Sequence, residues 1–356
     1  MIGKIKKLSL VKILFSILII FIYTIQINAG NFIGHREEDI VNVYDQEGNY
    51  IFAIAMEVSI GDRYIDEVNQ EYLVVEVNGQ RAIAEKKGIV DLLQDTGIEI
   101  NALTPIAAQG SGQIGIYHTH NGESYLPGPD NVDGKGEIHE VGDVLKKSLE
   151  EKGISVKKLD NIHLPHDGAA YERSRNTVSD LLKKRPDAIF DVHRDAIPRK
   201  EEYQKEVNGQ LISQIRLVVG RQNPNQKVND QFAKSLKAVA DEQYPGLIKG
   251  IFYGRGNYNQ QFAPRSLLLE FGTHVTTKEQ AVASAHMLAD SISQLVYGSR
   301  DKQKTVDTGE NRSALSTIGW ILLFTISGIV IFLFINERSI NGVISRIKSF
   351  FKREVR

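Results

Sequence analysis

Three apolar runs in this chain end in side chains able to bind a metal or move a proton. IGIYHTHNGES carries His118, His120 and Glu123; AIFDVHRDA carries Asp191, His193, Arg194 and Asp195; SLLLEFGTH carries Glu270 and His274. A carboxylate directly after three leucines is costly to bury unless it has a partner or a task. The chain has 0 cysteines, which excludes thiolate zinc sites, iron–sulfur clusters, disulfide frameworks and cysteine nucleophiles. Two histidines and a carboxylate then form the donor set of a catalytic zinc site, with one position left for water. A further glutamate can take the proton of that water as it attacks a carbonyl. Taken singly, each piece has an ordinary reading as a core histidine or a buried ion pair. The triplet HRD also matches a kinase catalytic loop, but no Gly-rich loop, VAIK-type lysine or DFG triplet accompanies it.

These residues need strand ends to hold them, and the surrounding pattern supplies them. The helix signature IHEVGDVLKKSLEEKG, stopped by Gly153, follows IGIYH; the strand ISVKKL comes next. AAYERSRNTVSDLLKK reads as a helix, AIFDVH as a buried strand and LISQIRLVVG as one further strand. A helix through VNDQFAKSLKAVADEQ, the strands IKGIFYG and SLLLEF, and a long helix through KEQAVASAHMLADSISQLVYG close the unit. The alternation predicts an α/β fold, a mostly parallel sheet flanked by helices, with its active site at the carboxyl ends of strands. Before it, VNVY, IFAIAMEV, EYLVVEV and RAIAE read as a small β module, with IGDRYIDEVNQ as a connection. NALTPIAAQGSGQ is uncharged and reads as a linker.

With 356 residues, 42% hydrophobic and 24% charged, the chain is globular, with room for more than one domain. Lys+Arg of 43 against Asp+Glu of 44 excludes a nucleic-acid binder that works by bulk charge. Both ends are apolar. Lys4, Lys6, Lys7 and Lys12 precede an uncharged stretch whose densest part, Ile13 to Ile27, is about 15 residues, fitting a signal peptide or a short signal anchor. SALSTIGWILLFTISGIVIFLFIN is long enough to span a membrane, and a basic, amphipathic tail follows. The positive-inside rule puts both basic ends in the cytoplasm and the intervening chain outside. The expected divisions are 1–30 signal or anchor, 31–100 β module, 101–112 linker, 113–298 catalytic domain, 299–312 juxtamembrane linker, 313–336 transmembrane helix and 337–356 cytoplasmic tail.

IYHTHNGESY, VGDVLKKSLEEKG, YERSRNTVSDLLKKRPDAIFDVHRDA and SLLLEFGTH, in that order, resemble the stage II sporulation protein P family, over about residues 40 to 298. The resemblance implies a membrane-anchored cell-wall hydrolase of endospore formation, similar to zinc-dependent N-acetylmuramoyl-L-alanine amidases. Carried over position by position, it implies that His120 and His193 bind Zn2+, with His118 as the competitor of His120. It implies Glu137 as third ligand, with Glu123 and Glu140 near enough to compete, and Glu270 as the catalytic glutamate. Arg194, adjacent to His193, is a candidate oxyanion stabiliser. The implied substrate is peptidoglycan, with endopeptidase action on cross-links beside the amidase action. The implied partners are stage II sporulation proteins D and M at the engulfing septum. A second hydrophobic span at the C-terminus departs from the single N-terminal anchor of that family. Two other readings compete: a metal phosphoesterase built on HTH, recruiting His163, His166 and Asp167, and a non-enzymatic wall-binding scaffold.

Overall fold

The computed structural model of the protein describes residues 40–99, 112–131 and 133–298. Both hydrophobic segments, the basic tail and nearly all of the expected 101–112 linker lie outside those residues. Among the described residues no helix is long and apolar enough to cross a membrane.

The N-terminal part holds β1 (Val41–Tyr44), β2 (Tyr50–Ile54), β3 (Arg63–Asp66), β4 (Gln70–Asn78), β5 (Arg81–Ile89) and α1 (Leu92–Thr96). Next come β6 (Gln113–Tyr117), α2 (Ile138–Glu151), β7 (Ser155–Lys158), α3 (Ala170–Arg173), α4 (Arg175–Leu182) and β8 (Ala188–Asp195). A hairpin of β9 (Gln204–Val207) and β10 (Gln210–Ser213) precedes β11 (Ile215–Gly220), α5 (Gln226–Gln243), β12 (Ile248–Gly254), β13 (Ser266–Thr273) and α6 (Lys278–Tyr297). The fold is mixed α/β, with one 11-stranded sheet in the order β2-β1-β5-β4-β3-β12-β11-β13-β8-β6-β7. In the C-terminal half β7, β6, β8 and β13 run parallel; β11 and β12 are parallel to each other but antiparallel to β13.

Period-two alternation sorts each strand between two faces. Ile114, Ile116, Phe190, Val192, Leu217, Val219, Leu267 and Leu269 point to one core, which α2, α5 and α6 cover. Each such side chain, fully buried, contributes about 1.5–3 kcal/mol. The residues between them face the opposite side, which α4 covers beside β6 and β8. Over β11, β12 and β13 that side is closed differently. Val41, Val43, Phe52, Ile54 and Met56 from β1, β2 and the turn after them pack on Val218, Phe252 and Leu268.

Three local expectations are corrected. IGDRYIDEVNQ is no mere connection; it contains β3, whose antiparallel pairing with β12 makes the β module continuous with the C-terminal strands of the sheet. The helix expected through AAYERSRNTVSDLLKK is broken at Ser174 into α3 and α4. LISQIRLVVG is two strands, β10 in the hairpin and β11 in the main sheet. At Gln214 the apolar pattern carries no mark of the bend, because the residues on either side of it are buried, whereas Arg173 and Arg175 beside Ser174 are half-buried.

Candidate active site

His120, Glu123 and His193 form a buried group whose potential ligand atoms all lie within 4.8 Å of one another. Their side chains are 0% exposed. His193 sits on β8; His120 and Glu123 sit on the loop after β6, where a tight turn at Asn121–Gly122 brings Glu123 back toward His120. One oxygen, Oε1 of Glu123, is 3.3 Å from Nδ1 of His120 and 3.3 Å from Nδ1 of His193. The other, Oε2, accepts from the Arg194 backbone N–H at 2.7 Å. Tetrahedral zinc with bonds of about 2.0–2.1 Å needs ligand atoms about 3.3–3.4 Å apart, and both Glu123–histidine distances match that span. Asp191 lies 2.9 Å from the remaining ring nitrogen of His193, Nε2, and is itself held by the backbone N–H and hydroxyl of Thr119. A carboxylate in that place orients a ligating histidine.

The electrostatics also call for a cation. Burial alone would push His193 down, but Asp191 and Glu123 outweigh it and raise its pKa to about 10. Burial would raise Glu123, yet His193 and His120 hold it well below the ordinary carboxylate range. Two carboxylates around two imidazoles thus retain a proton where a metal would supply the positive charge. The rings of His166 and Tyr171 roof the group. His166 stacks on His120 with centroids 4.0 Å apart, and burial followed by His120 lowers its pKa to about 3. Tyr171 meets His120 edge-on at 5.5 Å and lies parallel to His193 at 6.3 Å.

Glu270 stands directly across from His193 in the β13–β8 register, on the same face. It is fully buried. Burial and then Asp195 raise its pKa to about 8, against the opposing charge of Arg216. A cavity of about 440 Å³ is lined by Ser124, Leu126, Asp130, Arg194 and His274 among others; His120, Glu123, His193 and Glu270 are not among its lining residues.

Glu137 is not among the residues brought together. It precedes α2, where its carboxylate accepts from Tyr125 N at 3.1 Å and pairs with Lys278 at 3.2 Å. At Gly136 a Cβ would come within 2.1 Å of the Glu123 carbonyl, so the chain passes flush against the loop there. Glu140 also pairs with Lys278. The Arg194 side chain points away from the histidines; it donates to the Ser124 carbonyl at 3.0 Å and to Asp130 at 2.5 Å. His163 is engaged by the His118 carbonyl and Thr177, and Asp167 by Arg173, so of the phosphoesterase set only His166 approaches the group.

His118 belongs to a second group, with His139 and Asp160. Its ring is turned to α2, where Nε2 would lie 2.6 Å from a Cβ placed at Gly142. Lys158, with its side chain 3% exposed, reaches Asp160 at 2.5 Å and Asp143 at 2.8 Å, and so already places a cation there.

Sequence reasoning passed over Arg216, Tyr203 and Tyr171. Arg216 in QIRLVVG carries the same mark as Glu270 in LLLEF, a charge inside an apolar strand.

The family model described as stage II sporulation protein P (SpoIIP) matches residues 44–293. Stage II sporulation protein P of Bacillus subtilis (strain 168) is 34% identical over 203 residues, 51% of this chain and 50% of that protein. The chain therefore spans about half the length of the curated relative it matches. Among solved structures, an N-acetylmuramyl-L-alanine amidase from Mycobacterium smegmatis aligns with a TM-score of 0.35 at 16% identity, over 56% of this chain and 100% of that one. An N-acetylmuramoyl-L-alanine amidase from Clostridium difficile 630 aligns with a TM-score of 0.33 at 12% identity, over 54% and 97%.

Proposed function

This chain belongs to the stage II sporulation protein P family, and from that premise we propose a zinc-dependent N-acetylmuramoyl-L-alanine amidase that acts on peptidoglycan. The observation that carries the reading is the Glu123 oxygen placed 3.3 Å from each of two buried histidines, opposite a buried glutamate on the neighbouring strand. His120, His193 and Glu123 would hold the metal, with Glu123 in the place expected of Glu137. When bound, zinc supplies a water of lowered pKa and a polarised carbonyl.

The chain's own residues do the rest. Asp191 holds the His193 ring through Nε2, which leaves Nδ1 directed at Glu123 and the metal position. Glu270 takes a proton from the attacking water and returns it to the leaving nitrogen. Its position in a buried strand keeps competing water away, and its raised pKa suits a group that must both accept and donate near neutrality. Arg194, spent on Asp130 and a carbonyl, builds the cavity wall rather than meeting a developing oxyanion. Anchoring in the membrane, action at the engulfing septum with stage II sporulation proteins D and M, and cleavage of cross-links follow from the same family reading.

Metal content and product identity test the proposal together. The purified chain should hold one zinc and release peptides with a free N-terminal alanine from peptidoglycan, read by mass spectrometry. Glu270→Gln should keep the metal and lose roughly two to four orders of magnitude in turnover. A Glu270→Gln protein that works at near-parental rate would overturn the assignment of Glu270, and a metal-free active protein would overturn the whole reading.

A further inference from the structure

We infer that Arg216 is the positioning residue for Glu270, and that strand β2 is a working part of the site because its backbone holds Arg216 in place. The inference rests on Glu270 acting as the base. Arg216 pairs with Glu270 across β11 and β13, and Glu270 pairs with His193 across β13 and β8. The three therefore form one row across adjacent strands, on one face of the sheet.

A fully buried guanidinium is costly unless its donors are placed. Nη1 of Arg216 donates to Asp195 Oδ2 at 2.7 Å and to Glu270 Oε2 at 3.3 Å. Nη2 donates to the Ala53 carbonyl at 2.7 Å. The Tyr203 hydroxyl lies 2.8 Å from Asp195 Oδ2 and 3.1 Å from Glu270 Oε2, and the Tyr203 and Phe52 rings flank the guanidinium at 5.1 and 5.6 Å. Two residues on, the Ala55 N–H donates to Asp195 Oδ1 at 3.0 Å. One end of β2 thus holds both Arg216 and Asp195, and these, with Tyr203, fix the oxygen Oε2 of Glu270. The β module closes over the catalytic row rather than merely extending the sheet.

A purely structural Arg216 would tie the module to the sheet and leave the chemistry alone. A double-mutant cycle on the full-length chain in detergent separates the two roles, with a soluble N-acetylmuramoyl peptide as substrate. Arg216→Lys keeps the charge but not the fork. It should leave metal content and KM unchanged and lower kcat roughly ten- to a hundredfold, the scale of a small misplacement. In the Glu270→Gln background the same change should cost nothing further, since Arg216 acts through Glu270. Tyr203→Phe should repeat the pattern, and it replaces Arg216→Lys if that variant does not fold. Parental kcat in Arg216→Lys, or an equal loss in both backgrounds, would overturn the role of Arg216 while leaving Glu270 in place. Near-parental turnover of Glu270→Gln alone would instead overturn the base on which the inference stands.

Discussion

Two clusters of histidine and carboxylate lie on either side of one sheet, both begun by the sequence His118-Thr119-His120. His120, Glu123 and His193 have the rings of His166 and Tyr171 against them, and Glu123 also accepts from the Arg194 backbone N–H. His118, His139 and Asp160 have Lys158 beside them, paired with Asp160 and Asp143. The donor types are the same, although Asp160 is 39% exposed where Glu123 is fully buried, so donor type alone does not decide which group suits a metal. The fixed ammonium does: it meets the carboxylates' demand for positive charge, whereas in the first group that demand is left to a proton on His193.

The sharpest break of this comparison is removal of the carboxylate. Glu123→Ala should abolish stoichiometric zinc binding and lower turnover at least as far as Glu270→Gln, while Glu137→Ala should keep zinc and stay within a few-fold of parental activity. Metal analysis by mass spectrometry reads both. Loss of zinc in Glu137→Ala with retention in Glu123→Ala would reverse the assignment.

A smaller effect is expected in stability against pH. In the metal-free protein the folded state binds the His193 proton more tightly than the unfolded chain, whose histidine titrates near 6.5. That stability is complete below about 6.5 and lost as pH rises toward 10. His118 and His139 are shifted down, mainly by burial, so their contribution is complete above 6.5 and lost as pH falls. The melting temperature of metal-free protein should therefore drop by several degrees between pH 6.5 and 9.5, and zinc should flatten that alkaline limb. An alkaline limb identical with and without zinc would place the proton, or the metal, elsewhere.

The smallest expected effect tests the lysine directly. Lys158→Met removes the resident cation from the second group and should let the chain bind a second, weaker equivalent of zinc in equilibrium dialysis. Unchanged stoichiometry would mean that geometry, rather than charge, keeps metal from His118.

Much of this was legible in the residues themselves. Strand–helix alternation, the absence of thiols, and charged side chains ending apolar runs pointed to three strand ends, and the family resemblance then singled out His120, His193 and Glu270 among their residues. Glu123 was within the same HTHNGES run, yet the third ligand was expected at Glu137. That choice turns on how a loop folds back, and local pattern carries no record of it. Arg216 carried the same mark as Glu270, a charge inside an apolar strand, but the carboxylates it meets lie on other strands and cannot be read from its own segment.

The amino-acid sequence by itself determined the strands, the main helices and the types of side chain available for chemistry, because period-two and period-3.6 burial are local properties of the chain. Only the tertiary structure decided which carboxylate meets the histidines, which His-x-His member faces a lysine, and that the N-terminal strands close over Glu270. Those outcomes depend on contacts such as Glu123 with His193 and Ala53 with Arg216, between residues far apart in the chain. Burial and charge at such contacts are set by partners that no local window contains.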